Sequence, residues 1–103
     1  ASAPGVSDST GLVITSPNGP ERSLVLGVAH VRIGASSSND VVVEDAHASR
    51  FHCELRKTDE GWLLRDLGSL NGTYVNRQRI ESVRLTDGDE LQIGKFKLTF
   101  LAR

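Results

Sequence analysis

The chain has 103 residues, enough for one domain with a modest core and too few for two. Hydrophobic residues make up 38% and charged residues 24%, with 12 basic side chains against 13 acidic ones. That balance excludes a strong field drawing the whole molecule onto nucleic acid or an anionic membrane, so any anion site must be local. The lone cysteine, Cys53, excludes an internal disulfide and a thiolate metal cluster, and suits a reducing, cytoplasmic setting.

Residues Ala1 to Thr10 are small and polar around Pro4 and Gly5, and read as a flexible tail or linker ahead of one domain over residues 11–103. From Gly11 onward the chain alternates short β-type segments with turn residues. Leu12 to Thr15 is the first, closed by the turn cluster Ser16-Pro17-Asn18-Gly19-Pro20. Arg22 to Leu26 and Val31 to Ile33 follow, the latter ending at Gly34 before the serine-rich loop Ala35 to Asp40 and the run Val41 to Val43.

Phe51, Cys53 and Leu55 alternate with His52, Glu54 and Arg56, the period-2 pattern of a half-buried strand, with Ser49 where that strand begins. Trp62 to Leu64 and Thr73 to Val75 come next, separated by a loop through Gly68 and Gly72. Asn71-Gly72 and Asp87-Gly88 are both hairpin-turn dipeptides, the second flanked by Val83 and Leu85 and by Leu91 and Ile93. Phe96, Leu98 and Phe100 alternate with Lys95, Lys97 and Thr99 in the last strand, and Trp62 and the three phenylalanines are expected in the core or scaffold. No apolar pattern of helical spacing runs long enough for a helix or a membrane span, and no signal-peptide pattern opens the chain. Many short strands with frequent turns predict an all-β sandwich.

Three blocks carry a more specific signal. Val31-Arg32-Ile33-Gly34 precedes Asn39-Asp40 and the valines; Ser49-Arg50-Phe51-His52 follows. The third runs from Asp66-Leu67-Gly68-Ser69-Leu70-Asn71-Gly72-Thr73 through Asn76 to Asp87-Gly88-Asp89 and Ile93-Gly94. In this order and spacing the chain from Leu12 to Leu101 resembles the forkhead-associated (FHA) domain family. Asp66 to Leu101 is also similar to small actinobacterial FHA regulators of central carbon and nitrogen metabolism. The resemblance implies about eleven short strands in a β-sandwich whose loops at one end bind phosphothreonine peptides in Ser/Thr kinase signalling.

By resemblance, Ser49 donates its hydroxyl to the phosphate, Arg50 adds a second contact and Asn71 grips the peptide main chain. Ser36 is a further candidate donor in the serine-rich loop. Gly34, His52, Gly72 and Asn76 are expected to support the site, His52 through a hydrogen bond tying two recognition loops. Short hydroxyl, amide and guanidinium donors suit a phosphate monoester of roughly −1.5 to −2 charges and three acceptor oxygens. Arg77 and Arg79 read first as a solvated face, with a place at the mouth of the site as the alternative.

One position departs from the family. An arginine usually follows the glycine equivalent to Gly34, and here it is Ala35. Arg50 or Arg32 could supply the charge; otherwise the loops serve a phosphate-independent interaction. A hydrolase built on Ser49 and His52 is disfavoured because no nucleophile elbow is present. With aromatics at 5% and no basic–aromatic stripe, nucleic acid is not an expected partner. The expected module is a non-enzymatic monomer without metal, cofactor or membrane partner. Its expected partner is a phosphothreonine protein or peptide; if the tail docks on the body, Ser9 or Thr10, once phosphorylated, is an alternative occupant from the same chain.

Overall fold

In the computed structural model, which describes residues 10–102, eleven strands form two facing sheets, with no helix among the described residues. Residues 1–9, most of the expected tail, lie outside the described residues. One sheet has the order β2-β1-β11-β10-β7-β8, built from β1 (Gly11–Thr15), β2 (Arg22–Val25), β7 (Thr73–Val75), β8 (Gln78–Ile80), β10 (Glu90–Ile93) and β11 (Phe96–Leu101). The other has the order β4-β3-β5-β6-β9, from β3 (His30–Gly34), β4 (Val41–Val42), β5 (Cys53–Thr58), β6 (Gly61–Asp66) and β9 (Ser82–Arg84). All pairings are antiparallel except β3 with β4, which run parallel.

Alternation decides which face of each strand is buried. Leu12 and Ile14 of β1, Leu91 and Ile93 of β10, and Phe96, Leu98 and Phe100 of β11 turn inward. They meet Val31 and Ile33 of β3, Cys53 and Leu55 of β5, and Trp62 and Leu64 of β6 in one continuous core. Burying a side chain of this size contributes about 1.5–3 kcal/mol, and that sum holds the two sheets face to face. Cys53 is inside the core, and burial pushes its thiol up to about 12.

Four expectations need correction. Asp87-Gly88 is not a hairpin turn: β9 pairs with β6 in one sheet and β10 with β7 and β11 in the other. The segment is a crossover between sheets, held by Gly88 N–H donating to the Phe100 carbonyl at 2.7 Å and Ala102 N–H donating to Asp87 Oδ1 at 2.9 Å. Asn71-Gly72 likewise lies in a loop that leaves β6 in one sheet and enters β7 in the other. The tight two-residue hairpin is instead Asn76-Arg77, both at positive φ (50° and 72°), which sets β8 against β7. Finally, β5 begins only at Cys53, so Ser49 stands in the loop ahead of it; Phe51 is 41% exposed rather than core, and His52 beside it is fully buried.

Candidate functional site

Three connections meet at one end of the sandwich: the β3–β4 loop, the segment entering β5, and the β6–β7 loop. Gly34 makes the first two fit. A methyl group on its Cα would sit 2.2 Å from the Arg50 carbonyl oxygen and 2.9 Å from Asn39 Nδ2, so only glycine lets these backbones approach. Across that contact Ala35 N–H donates to the Ser49 carbonyl at 3.0 Å and Ser36 N–H to the Arg50 carbonyl at 3.1 Å. Asn39 is 7% exposed; its Nδ2 donates to the Arg50 carbonyl at 2.7 Å and the Ser36 carbonyl at 2.8 Å.

His52 joins this pair of segments to the β6–β7 loop. Its Nδ1 accepts the Ser49 N–H at 3.0 Å, so the ring proton belongs on Nε2, which donates to the Gly72 carbonyl at 2.8 Å. The ring is fully buried, and both nitrogens are committed. Ser49 Oγ accepts the Leu70 N–H at 3.1 Å, and that leaves its own hydroxyl proton to donate outward. Asn71 Nδ2 donates to the His47 carbonyl at 2.9 Å, which fixes the carboxamide with Oδ1 free as an acceptor for a peptide N–H. Ser49, Arg50, Asn71 and the Ser36 backbone therefore stand on one connected surface. The Ser36 hydroxyl is partly used, accepting the Ser38 N–H at 3.2 Å. Asn76 lies elsewhere: at the far end of β7 it donates to Asp89 Oδ1 at 3.0 Å and accepts Glu90 N–H at 3.1 Å.

The β6–β7 loop owes its shape to a residue not singled out as a site residue from sequence. Asp66 ends β6 and accepts four bonds: Gly68 N–H at 3.0 Å, Ser69 N–H at 2.9 Å, Ser69 Oγ–H at 2.5 Å and Thr73 Oγ1–H at 2.7 Å. Ser69 Oγ in turn accepts the Gly72 N–H at 3.0 Å. Burial acts to raise the Asp66 carboxyl, but the Ser69 and Thr73 hydroxyls and the two amides outweigh it and hold the group below its ordinary value. The local signal was an acid followed at two and three residues by glycine and serine, an Asx-turn spacing. Asp45 makes a parallel clasp, accepting His47 N–H at 2.8 Å and Lys95 N–H at 3.0 Å; the His47 amide chiefly keeps its carboxyl low.

Cations are sparse around Ser49. Arg50 is exposed and pairs with no carboxylate among the described residues. Arg32 is exposed on the outer side of β3, opposite Glu54. Arg77 lies in the β7–β8 turn with Asn76, at the far end of β7 from Gly72.

A β-sandwich that gathers these donors on loops at one end defines a phosphopeptide-binding class of domain, and the chain belongs to the FHA domain family, whose model matches residues 31–94. It is 43% identical over 90 residues, 87% of this chain and 55% of that protein, to the glycogen accumulation regulator GarA of Mycobacterium tuberculosis. It is 39% identical over 103 residues, 98% of this chain and 71% of that protein, to the oxoglutarate dehydrogenase inhibitor of Corynebacterium jeikeium. The chain thus spans little more than half the length of the first of these relatives, at 55%. An alignment of 90 residues also carries the likeness well upstream of Asp66, into the N-terminal half. Among solved structures, it is similar to an FHA domain from a structural and functional analysis of phosphothreonine-dependent FHA domain interactions. That match has a TM-score of 0.80 and 28% identity, covering 90% of this chain and 97% of the other.

Proposed function

We propose that this domain recognises phosphothreonine on a protein or peptide in Ser/Thr kinase signalling, as a binding module rather than a catalyst. The observation that carries the reading is the meeting of the Ser49 hydroxyl and the Asn71 carboxamide on loops locked by His52 and Gly34, with the exposed Arg50 next to Ser49 in the chain. The committed nitrogens of His52 argue against catalysis, since neither is free to act as a base toward Ser49. The similarity to an FHA domain studied for phosphothreonine-dependent interactions supports the choice of phosphoresidue.

A second reading, binding of a partner without phosphate, draws on Ala35, whose backbone touches Ser49 but brings no cation. A charge-assisted hydrogen bond is worth about 1.5–3 kcal/mol, so its loss weakens a phosphate site by roughly one to two decades. The chain's own tail is a poor source of phosphothreonine: residues 1–9 contain serines but no threonine. Thr10 is tied to the body, since Gly11 pairs with Leu101 at the end of the sheet away from the loops and the Thr10 carbonyl is held by Leu26 N–H at 2.8 Å.

The test is a binding screen of an oriented phosphothreonine library against its unphosphorylated twin, with phosphoserine versions of the best sequences. Micromolar or weaker binding confined to phosphothreonine is expected. Equal binding of phosphorylated and bare peptides would transfer the site to the phosphate-independent reading.

A further inference from the structure

Beside the β6–β7 loop, where the chain passes from β8 in one sheet through Glu81 to β9 in the other, lies a cleft of about 960 Å³. Its rim is Gly68 and Ser69, on the loop that carries Leu70 and Asn71; Leu63 and Ile80, both half-buried, give it apolar surface. Two arginines from different strands line it, Arg65 of β6 and Arg79 of β8.

Neither side chain forms a salt bridge to a carboxylate among the described residues, although Arg65 stands opposite Glu54 of β5 and helps to hold that carboxyl low. Glu81 lines the same cleft yet pairs with neither, and Asp66 spends its carboxylate on the four donors of its own loop. Arg79 has a further constraint. A methyl group on Gly72 would come within 2.6 Å of its Nε and 3.0 Å of its Cζ, so the guanidinium lies against the backbone directly after Asn71. Gly72, at φ 94°, is needed for its conformation, and a side chain there would also push the flexible end of Arg79 aside.

We propose that this cleft is a second, anion-selective half of the peptide site, in which Arg79 and Arg65 take an anionic side chain flanking the phosphoresidue. The proposal rests on the phosphopeptide reading of the loops. Asn71 grips the peptide main chain within one residue of the Arg79 guanidinium, so the anion belongs on a near neighbour of the phosphoresidue. Two arginines lining one cleft suit a carboxylate or a second phosphate, each of which accepts paired N–H donors. The apolar surface of Leu63 and Ile80 accommodates the methylenes of the same side chain.

The experiment uses a phosphothreonine peptide with uncharged flanks and a series carrying one glutamate moved stepwise along both flanks. A further peptide has phosphoserine at the best position. Each is titrated against the wild-type domain, Arg79→Ala and Arg65→Ala, with melting temperatures as a check on folding. At one position glutamate should raise wild-type affinity about three- to tenfold, the span of a partly exposed charge pair. The gain should vanish in Arg79→Ala, shrink in Arg65→Ala and fall as salt is raised, while the uncharged-flank peptide binds all three proteins alike. A larger gain from phosphoserine than from glutamate would assign the cleft to a second phosphate; an equal gain would assign it to an acidic side chain. A flat glutamate scan, or a gain that survives both substitutions, overturns the proposal and leaves the phosphothreonine reading standing. Failure of the wild type to bind the uncharged-flank phosphopeptide removes both.

Discussion

Removing the Asp66 charge while keeping its shape should loosen the β6–β7 loop and weaken ligand binding without disturbing the core. In Asp66→Asn one oxygen becomes an NH2 group. The backbone N–H groups of Gly68 and Ser69 cannot reverse, so the remaining oxygen must face them, and the new NH2 meets the Ser69 and Thr73 hydroxyls. Those hydroxyls can rotate to accept, but Ser69 Oγ already accepts from Gly72. Bonds to a charged acceptor are worth about 1.5–3 kcal/mol and neutral ones about 0.5–1.5, so the exchange costs roughly 1–2 kcal/mol at a half-buried position. For a domain of this size that lowers the melting temperature by about 5–15 °C. The dependence on pH is the sharper readout. The folded carboxyl titrates below its ordinary value of 3.8, so its contribution is complete above that pH and disappears as pH falls through the folded value. Melting curves of wild type and Asp66→Asn should therefore be separated near neutral pH and converge as pH falls through the folded value, below 3.8. A separation that persists unchanged into acid would mean the loss was steric, and the carboxylate account of the loop would be wrong.

Ala35→Arg places a cation beside Ser49 and should raise phosphothreonine-peptide affinity about ten- to a hundredfold at low salt without helping the bare peptide, read by titration calorimetry. Asn71→Ala should lower that affinity with little change in melting temperature. His52→Ala should destabilise by about 2–4 kcal/mol in urea, because it opens a buried space and strands two hydrogen-bond partners. Gly34→Ala drives a methyl into the Arg50 carbonyl and should cost more than 2 kcal/mol in the same assay, with a nearly wild-type melt as the contrary result. Cys53, fully buried with its thiol pushed up to about 12, should resist alkylation in the native state and react only as fast as the domain opens.

Strands with one buried face were legible because alternation is local. Leu12 and Ile14, Leu91 and Ile93, and Phe96, Leu98 and Phe100 announce their inward sides without help from the rest of the chain. β8 was missed because Gln78 and Arg79 are exposed on an edge strand and Ile80 is only half-buried, so no period shows. Asn71-Gly72 and Asp87-Gly88 were read correctly as points where the chain turns. Whether a turn closes a hairpin or carries the chain between sheets depends on pairing with strands far away in sequence, which no dipeptide encodes. Phe51 fell to the same limit: its parity matches Cys53, but β5 has not yet begun there, and the inward place is taken by His52. At the site, the motif residues could be named in advance, whereas Asp66 as the organiser of the loop and Arg79 lying on Gly72 required the third dimension.

The placement of His52 also has a thermodynamic consequence. Gly34, Ala35, Ser49 and Arg50 stand on connections of the β3–β5 sheet, whereas Leu70, Asn71 and Gly72 lead into the other sheet. A ligand touching both Ser49 and Asn71 therefore bridges the two sheets at the end where His52 already joins them through Ser49 N–H and the Gly72 carbonyl. Separation of the sheets would break that bridge, so binding must add RT ln(1 + [L]/Kd) to the stability of the sandwich, about 2.7 kcal/mol at a hundredfold excess over Kd. The same linkage runs in reverse. A substitution that loosens the joint, such as His52→Ala, lets Ser49 and Asn71 drift apart, and the ligand must then restore their spacing out of its own binding energy. Affinity lost through His52→Ala should therefore return in part when the sheets are stabilised elsewhere, whereas affinity lost through Asn71→Ala should not.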